Sequence, residues 1–482
     1  MMKAERLAGL EPASVFGYFE KICSIPHGSG NTKAISDYLV SFAKEHGLAY
    51  IQDELNNVLM FQDGTPGYED HEPVILQGHM DMVCEKSPDC PIDFAVDGLD
   101  VTHDDTCVFA NGTTLGGDDG IAVAYCLALL SDPTIPHPPL EIIITVDEET
   151  GMYGADGVDL SMFKGKRMIN LDSEDEGIFT VSCAGGARAG ICLPLSRHAV
   201  YGPCIKLTVD GLVGGHSGME IDKNRANANK VMGMFLDEIK KRMPLCLTAI
   251  GGGSKDNAIT RSCTASLVAM GMELEQINDI AASLQEKIRT EYAEPNAVIS
   301  ADNIDALGGN ALSTQDTDKI IGLLCAAPNG VQAMCADMPD LVQTSLNMGI
   351  VKMDADSFTM TFSVRSSVNQ EKVDLLKKLE DLAGMYGAEF SSTGDYPAWE
   401  YRAESVLRDT MVAQYRQMYG QDPQVVSIHA GLECGLLGQK IDGLDAVSIG
   451  PQMHDIHTNR ERLEIDSTRR VWEFLLAVLK AL

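Results

Sequence analysis

The sequence predicts an α/β chain in which a domain built on a mostly parallel sheet flanked by helices is interrupted by an inserted α+β domain. Short apolar runs at 74–76, 140–146 and 167–171 alternate with helical patterns, the order that builds a parallel sheet covered on both faces. From about 187 to 392 the texture changes to strand-like segments alternating with amphipathic helices. After that the chain returns to helix, strand, strand and helix, enough to complete the first domain. The expected boundaries are 1–186 and 393–482 for the first domain and 187–392 for the insertion.

Taken in order, the chain opens in helical pattern. Segment 34–46 carries Ile35, Tyr38, Leu39 and Phe42 at helical spacing, with Gly47 as its C-cap. Strands follow at 49–52 and 58–62, across an Asn-Asn turn, and then at 74–78. Helix 119–130 is entered from the loop Thr-Thr-Leu-Gly-Gly-Asp-Asp-Gly. In the insertion, strands are expected at 204–209, 265–270, 348–351 and 358–364. One helical stripe is Leu274, Ile277, Leu284 and Ile288, and a second is Val231, Met234 and Phe235. Val373, Leu376, Leu379 and Leu382 suggest a third. The last segment reads as helix 404–419, strands 425–428 and 446–449, and a helix from Ser467.

A chain of 482 residues has room for two domains, and a hydrophobic share of 45% with 22% charged is that of a globular protein. The formal charge of −33 argues against nucleic acid and anionic membrane as partners, since both demand Lys and Arg. Residues 1–10 lack the basic and apolar regions of a secretory signal, and no apolar run approaches a membrane span. The 13 cysteines form no Cys-x-x-Cys pair, which fits reduced thiols in the cytoplasm.

The stretch Val-Ile-Leu-Gln-Gly-His-Met-Asp delivers His79 and Asp81 at a strand end, two residues apart and able to share one side. The carboxylate can hold one ring nitrogen while the other binds metal. Asp118-Asp119, Asp147-Glu148-Glu149, Asp172 and His457 follow at other strand ends or in Gly-rich loops. Such loops gather at one edge of a parallel sheet, where the acids would repel one another unless cations sat between them. Oxygen and imidazole ligands without thiolate suit Zn, Mn or Co. Two divalent ions would be balanced by three ligating carboxylates and one hydroxide, leaving a further carboxylate as proton shuttle. Glu148 and Glu149 diverge as neighbours in an extended segment, so the doublet offers one residue for each task.

The motifs Gly-His-Met-Asp, Gly-Thr-Thr-Leu-Gly-Gly-Asp-Asp-Gly, Asp-Glu-Glu-Thr-Gly, Asn-Leu-Asp-Ser-Glu and Gly-Gly-His-Ser-Gly occur in that order over nearly the whole chain. Together they resemble the cocatalytic-zinc metallopeptidase family, in its aminoacyl-histidine (Xaa-His, or cytosol non-specific) dipeptidase branch. The resemblance implies a zinc-exopeptidase-like catalytic domain with a lid and two divalent ions, Zn2+ first, with Co2+ and Mn2+ admitted. It implies that His79 and Asp172 hold one ion, Glu149 and His457 the other, and that Asp118 bridges them. Asp81 would orient His79, and Glu148 would be the general base. His457 lies in Met-His-Asp-Ile-His-Thr-Asn-Arg-Glu, where the family more often shows Pro-His-Ser-Pro-Asp-Glu. His454 is therefore a rival, although Glu461, four residues after His457, favours the latter.

His216, in the Gly-rich motif of the insertion, reads either as a turn residue or, by the resemblance, as the donor that stabilises the oxyanion on lid closure. Asn257, Arg261 and Arg365 are candidates for binding the peptide and its terminal carboxylate, against a plain surface reading. Glu433, in His-Ala-Gly-Leu-Glu-Cys-Gly, is expected either to meet the substrate's α-amino group or to be a buried carboxylate capping a helix. The expected activity is metal-dependent hydrolysis of dipeptides, including Xaa-His. An N-acyl amino acid hydrolase is the alternative enzyme, and an idle metal-binding assembly module the alternative of another class. The resemblance leaves two arrangements open, a homodimer paired through the lid or a lid that closes on its own.

Overall fold

The structure, a computed structural model, describes residues 6–269, 271, 273–336 and 341–482. Met270, the end of the strand expected at 265–270, and the first half of the segment read for a leader lie outside the described residues. The chain forms two compact units. One takes the chain up to Cys183, then Tyr401–Ser427 and Leu432–Leu482; the other takes Ala184–Glu400 and Ile428–Gly431.

The first unit is organised by an eight-stranded sheet. Its order is Ala49–Gln52, Val58–Gln62, Leu140–Thr145, Val74–His79, Arg167–Asn170, Asp445–Ser448, Ile178–Cys183 and Gln424–Ile428. The middle four strands run parallel, pairing Val74 with Leu140 and Arg167, and Asp445 with Arg167. Toward the edges the pairing turns antiparallel, at Val58–Gln62 against Leu140–Thr145 and at Ser448 against Thr180. Strands buried on both faces read as continuous apolar runs, and every residue of Val74–His79 and Leu140–Thr145 is buried. This is why those two runs were legible as central strands.

Helix Gly117–Ser131 shows the same logic in helical form. Its sequence Ile-Ala-Val-Ala-Tyr-Cys-Leu-Ala-Leu-Leu has no polar face, and residues 117–130 are all buried. Tyr125 stacks on Trp472 of the C-terminal helix Ile465–Ala481, with ring centroids 5.8 Å apart. A separate four-stranded sheet joins Met453–His454, Arg462–Glu464, Cys107–Ala110 and Val101–His103. It pairs Leu463 with Val108, bringing the C-terminal loop beside the loop that enters Gly117–Ser131.

The second unit has its own core around a nine-stranded antiparallel sheet, covered by helices Ala228–Lys240, Leu274–Glu291, Thr314–Ala326 and Asn369–Tyr386. One expectation holds only in part: the helix forms, with Leu379 and Leu382 buried and Leu376 packed against the core. The stripe Val373, Leu376, Leu379 and Leu382 is not the buried face of Asn369–Tyr386; the buried residues are Lys372, Leu375, Leu379, Leu382 and Ala383, and Val373 is 53% exposed. The reason is geometric. A strict three-residue step falls about 60° short of a full turn each time, so the expected stripe winds off the face it starts on.

Candidate active site

The strands of the parallel sheet end in the acidic loops, and the backbone there is shaped for close approach. Gly78 has no room for a side chain: a Cβ would lie 2.5 Å from Asp119 Oδ2 and 2.6 Å from Ala122 Cβ. The next residue, His79, donates its backbone N–H to that same Asp119 oxygen at 3.1 Å. Asp147 and His457 both sit in the left-handed region, at φ 56° and 59°. For non-glycine residues this conformation costs about 1–3 kcal/mol and collects at functional sites.

His79 is the hub. Its Nδ1 lies 3.0 Å from the Asp81 carbonyl and 3.4 Å from Asp81 Oδ1. Its Nε2 faces Asp118 Oδ1 at 3.2 Å and Asp172 Oδ1 at 3.6 Å. Asp81 is itself fixed, accepting Ser29 Oγ at 2.8 Å and the Glu148 backbone N–H at 3.1 Å. The other oxygen of Asp118, Oδ2, lies 3.0 Å from His457 Nε2, which also lies 2.9 Å from Glu149 Oε1. One carboxylate therefore turns an oxygen to each of two imidazoles. His454, the rival, is exposed and paired with Glu464 at 2.8 Å on the surface.

The donor set fits metal ions. His79, Asp118 and Asp172 form one group whose ligand atoms lie within 4.8 Å of one another, and Asp118, Glu149 and His457 form another. His79, Glu148 and Glu149 make a third. Glu149 Oε1 is buried with no hydrogen bond, although it touches His457 Nε2. Contact without hydrogen-bond alignment suits two ligands turned toward a common ion. The electrostatics agree. Burial, then Asp172, Glu433 and Glu149, push the Glu148 carboxyl up to about 9, and burial with Asp118 and Glu149 raises Asp172 to about 6. Asp118 goes the other way despite its burial, held low by His457 and His79.

Beneath this cluster lies a polar layer that the sequence reading missed. Gln77, Thr145 and Asn170 stand on three neighbouring central strands, two residues ahead of His79, Asp147 and Asp172 respectively. Asn170 Nδ2 donates to Gln77 Oε1 at 2.5 Å. Gln77 Nε2 and Thr145 Oγ1 both donate to Glu433 Oε2 at 2.6 Å. The available signal was a polar residue breaking an otherwise apolar run just before each acidic loop.

Glu433 is the buried carboxylate of one expected reading, without the helix-capping bond that reading gave it. It precedes helix Cys434–Lys440 but makes no side-chain cap bond, and it is fully buried, with no exposed surface for a substrate amine to meet. Burial pushes its carboxyl up to about 8. Glu433→Gln, which keeps the shape and the uncharged state, is expected to leave KM for dipeptides unchanged. Glu433→Leu strands two buried donors and is expected to cost about 2–3 kcal/mol in a denaturant melt. A raised KM for the Gln variant at unchanged stability would restore the amine-binding reading.

The remaining candidates belong to the second unit. His216 pairs in register with Ala258, and Ser217 N–H donates to the Asn257 carbonyl at 2.9 Å, so His216 and Asn257 are neighbours. His216 Nδ1 accepts the backbone N–H groups of Gly218 and Met219 at 3.2 and 3.1 Å, which leaves its proton on Nε2. Burial, then the charge of Arg365, lowers its pKa, keeping the ring neutral. Arg365 Nη1 donates to the Tyr396 hydroxyl at 3.3 Å, while its Nε is buried with no hydrogen bond. Arg261 is exposed; its Nε donates to the Leu212 carbonyl at 3.2 Å, and its side chain lies against Gly214, two residues before His216.

Residues 75–481 match peptidase family M20/M25/M40. The chain is 36% identical over 478 residues to the cytosol non-specific dipeptidase of Escherichia coli K12, covering 98% of each. It is 35% identical to the solved aminoacylhistidine dipeptidase of Vibrio alginolyticus, with a TM-score of 0.94, covering 99% of this chain and 98% of that one. An aminopeptidase of Bacillus cereus shares the fold at 14% identity and a TM-score of 0.57, over 98% of this chain and 99% of that one.

Proposed function

The chain belongs to peptidase family M20/M25/M40, and from that premise we infer that it is a metal-dependent dipeptidase whose substrates include Xaa-His. It is a hydrolase, as the family and both dipeptidase relatives are peptidases. The observation that carries the reading is Asp118, whose two oxygens serve two His-containing ligand groups at once. His79 with Asp172 would hold one ion and Glu149 with His457 the other, across Asp118. Oxygen and imidazole donors suit Zn2+, with Co2+ and Mn2+ admitted. Two such ions, when bound, would polarise a carbonyl and lower the pKa of water.

The chain's own residues would do the rest. Asp81 fixes the ring of His79 through Nδ1, keeping Nε2 for its ligand role. Glu148 is the proton carrier: it takes a proton from the attacking water and delivers it to the leaving amine. Its backbone is tied to Asp81, so base and ligand share one support. His216 offers a neutral Nε2–H, the kind of donor an oxyanion needs. Asn257 and Arg365 are proposed to bind the peptide, with the unpaired Nε of Arg365 suited to a carboxylate. Arg261 is proposed with them, although its Nε is already engaged by Leu212.

A cytoplasmic location belongs to the same reading. The Escherichia coli relative is named for the cytosol. No helix among the described residues is long and apolar enough to cross a membrane. Purified protein assayed by HPLC against Ala-His, β-Ala-His and N-acetyl amino acids tests the activity. Cleavage of Ala-His with N-acetyl amino acids left intact is expected; turnover of N-acetyl amino acids alone would overturn the reading.

A further inference from the structure

Glu461, four residues after His457 in the sequence, is one of the most heavily engaged side chains of the first unit. It is 3% exposed. Its Oε2 accepts the backbone N–H of Leu115 at 2.8 Å and of Gly116 at 3.2 Å, and its Oε1 accepts Gly117 at 2.8 Å and Asp118 at 3.4 Å. A single carboxylate thus gathers four consecutive amides where the chain turns into helix Gly117–Ser131. Hydrogen bonds to an ionised acceptor are about twice as strong as neutral ones. The turn is built around it: Gly116 sits at φ 67°, and a Cβ on Gly117 would lie 3.2 Å from Glu461 Oε1.

The same residue is anchored to the other loop of the site. Its backbone N–H closes a turn on the Thr458 carbonyl at 3.1 Å, directly after His457, and Arg462 is registered against Phe109. Asp118 and His457, 339 residues apart, meet at 3.0 Å in the group that also contains Glu149. Glu461 spans the two loops that bring them there.

We propose that Glu461 is a positioning residue that holds the Asp118 loop against the His457 loop and so completes the Asp118–Glu149–His457 metal group. This rests on the two-ion reading above. The groups are not equally dependent on it. His79 and Asp172 come from adjoining sheet strands and keep their placement without Glu461, whereas His457 reaches Asp118 only through the loop that Glu461 ties down. Loss of the carboxylate is therefore felt more by one ion than by the other.

Metal-free full-length protein, titrated with Zn2+ by calorimetry and with Co2+ by visible absorption, tests this. Wild type is expected to take up two equivalents; uptake of fewer would sink the two-ion reading itself rather than the role of Glu461. In Glu461→Gln the first equivalent should bind nearly as in wild type. The second should weaken by about 10–100-fold, the usual effect of removing a partner that orients ligands, with an altered Co2+ spectrum for that equivalent alone. Glu461→Asp, which keeps the charge and loses one methylene, should show the same asymmetry at smaller size, and it serves if the Gln variant does not fold. Unchanged binding of the second equivalent in either variant, or an equal loss of both, would overturn the proposal.

Discussion

Glu148→Gln is expected to lower kcat for Ala-His by about 10³-fold, within the range for loss of a general base, with KM little changed and both metal ions still bound. The substitution keeps the side chain's size and removes only its capacity to take a proton. Its support is left intact, because the bond from residue 148 to Asp81 is made by the backbone N–H. Glu149, which belongs to two of the ligand groups, is untouched. In the bare site, burial and the neighbouring acids Asp172, Glu433 and Glu149 push Glu148 up to about 9. Bound cations act in the opposite direction and bring the group toward neutrality, where a base that must both accept and return a proton works best. A loss confined to kcat separates this role from ligation, which would lower metal content as well.

Removal of the metal should have a larger effect, abolishing hydrolysis and lowering the melting temperature. Asp118, Glu149 and Asp172 lie within ligand distance of the two imidazoles, so positive charge must come from somewhere. Without ions it comes from protons. Asp118 and then Glu149 raise His457 to about 11, and Asp118, Asp172 and Asp81 hold His79 above its usual range in spite of its burial. Metal uptake must displace those protons, so apparent affinity rises with pH and falls as the solution is acidified. A chelator should therefore strip the protein faster at low pH. Since ions bind the folded chain and not a preformed site in the unfolded one, their loss also removes stability by mass action.

What could be read from sequence follows from how local each cause is. The central strands announced themselves because burial on both faces forces continuous apolar runs, as in Leu140–Thr145. His79, Asp118, Glu149 and Asp172 stood out as acids or an imidazole following apolar strands or set in a Gly-rich loop, whereas His457, within a turn, was marked by the family resemblance. The long edge strand Val298–Leu312 was invisible: with Asp302, Asn303, Asp305, Gly308 and Gly309 it has poor strand propensity, and it is held by its ladder to Arg197–Asp210. Glu461 and Glu433 were legible only in part for a related reason. Their partners, Leu115–Asp118 for one and Gln77 with Thr145 for the other, are hundreds of residues away in the chain. No spacing rule connects them. The stripe on Asn369–Tyr386 was read in part, because a strictly repeated three-residue step drifts off one helix face and leaves Val373 exposed.

The most direct test is metal content measured on the same sample as dipeptide hydrolysis, before chelation, after it, and after return of Zn2+. Two ions per chain, turnover of Ala-His lost with them and regained on their return, is the expected outcome. Undiminished cleavage by protein shown to hold no metal would contradict the account at its root.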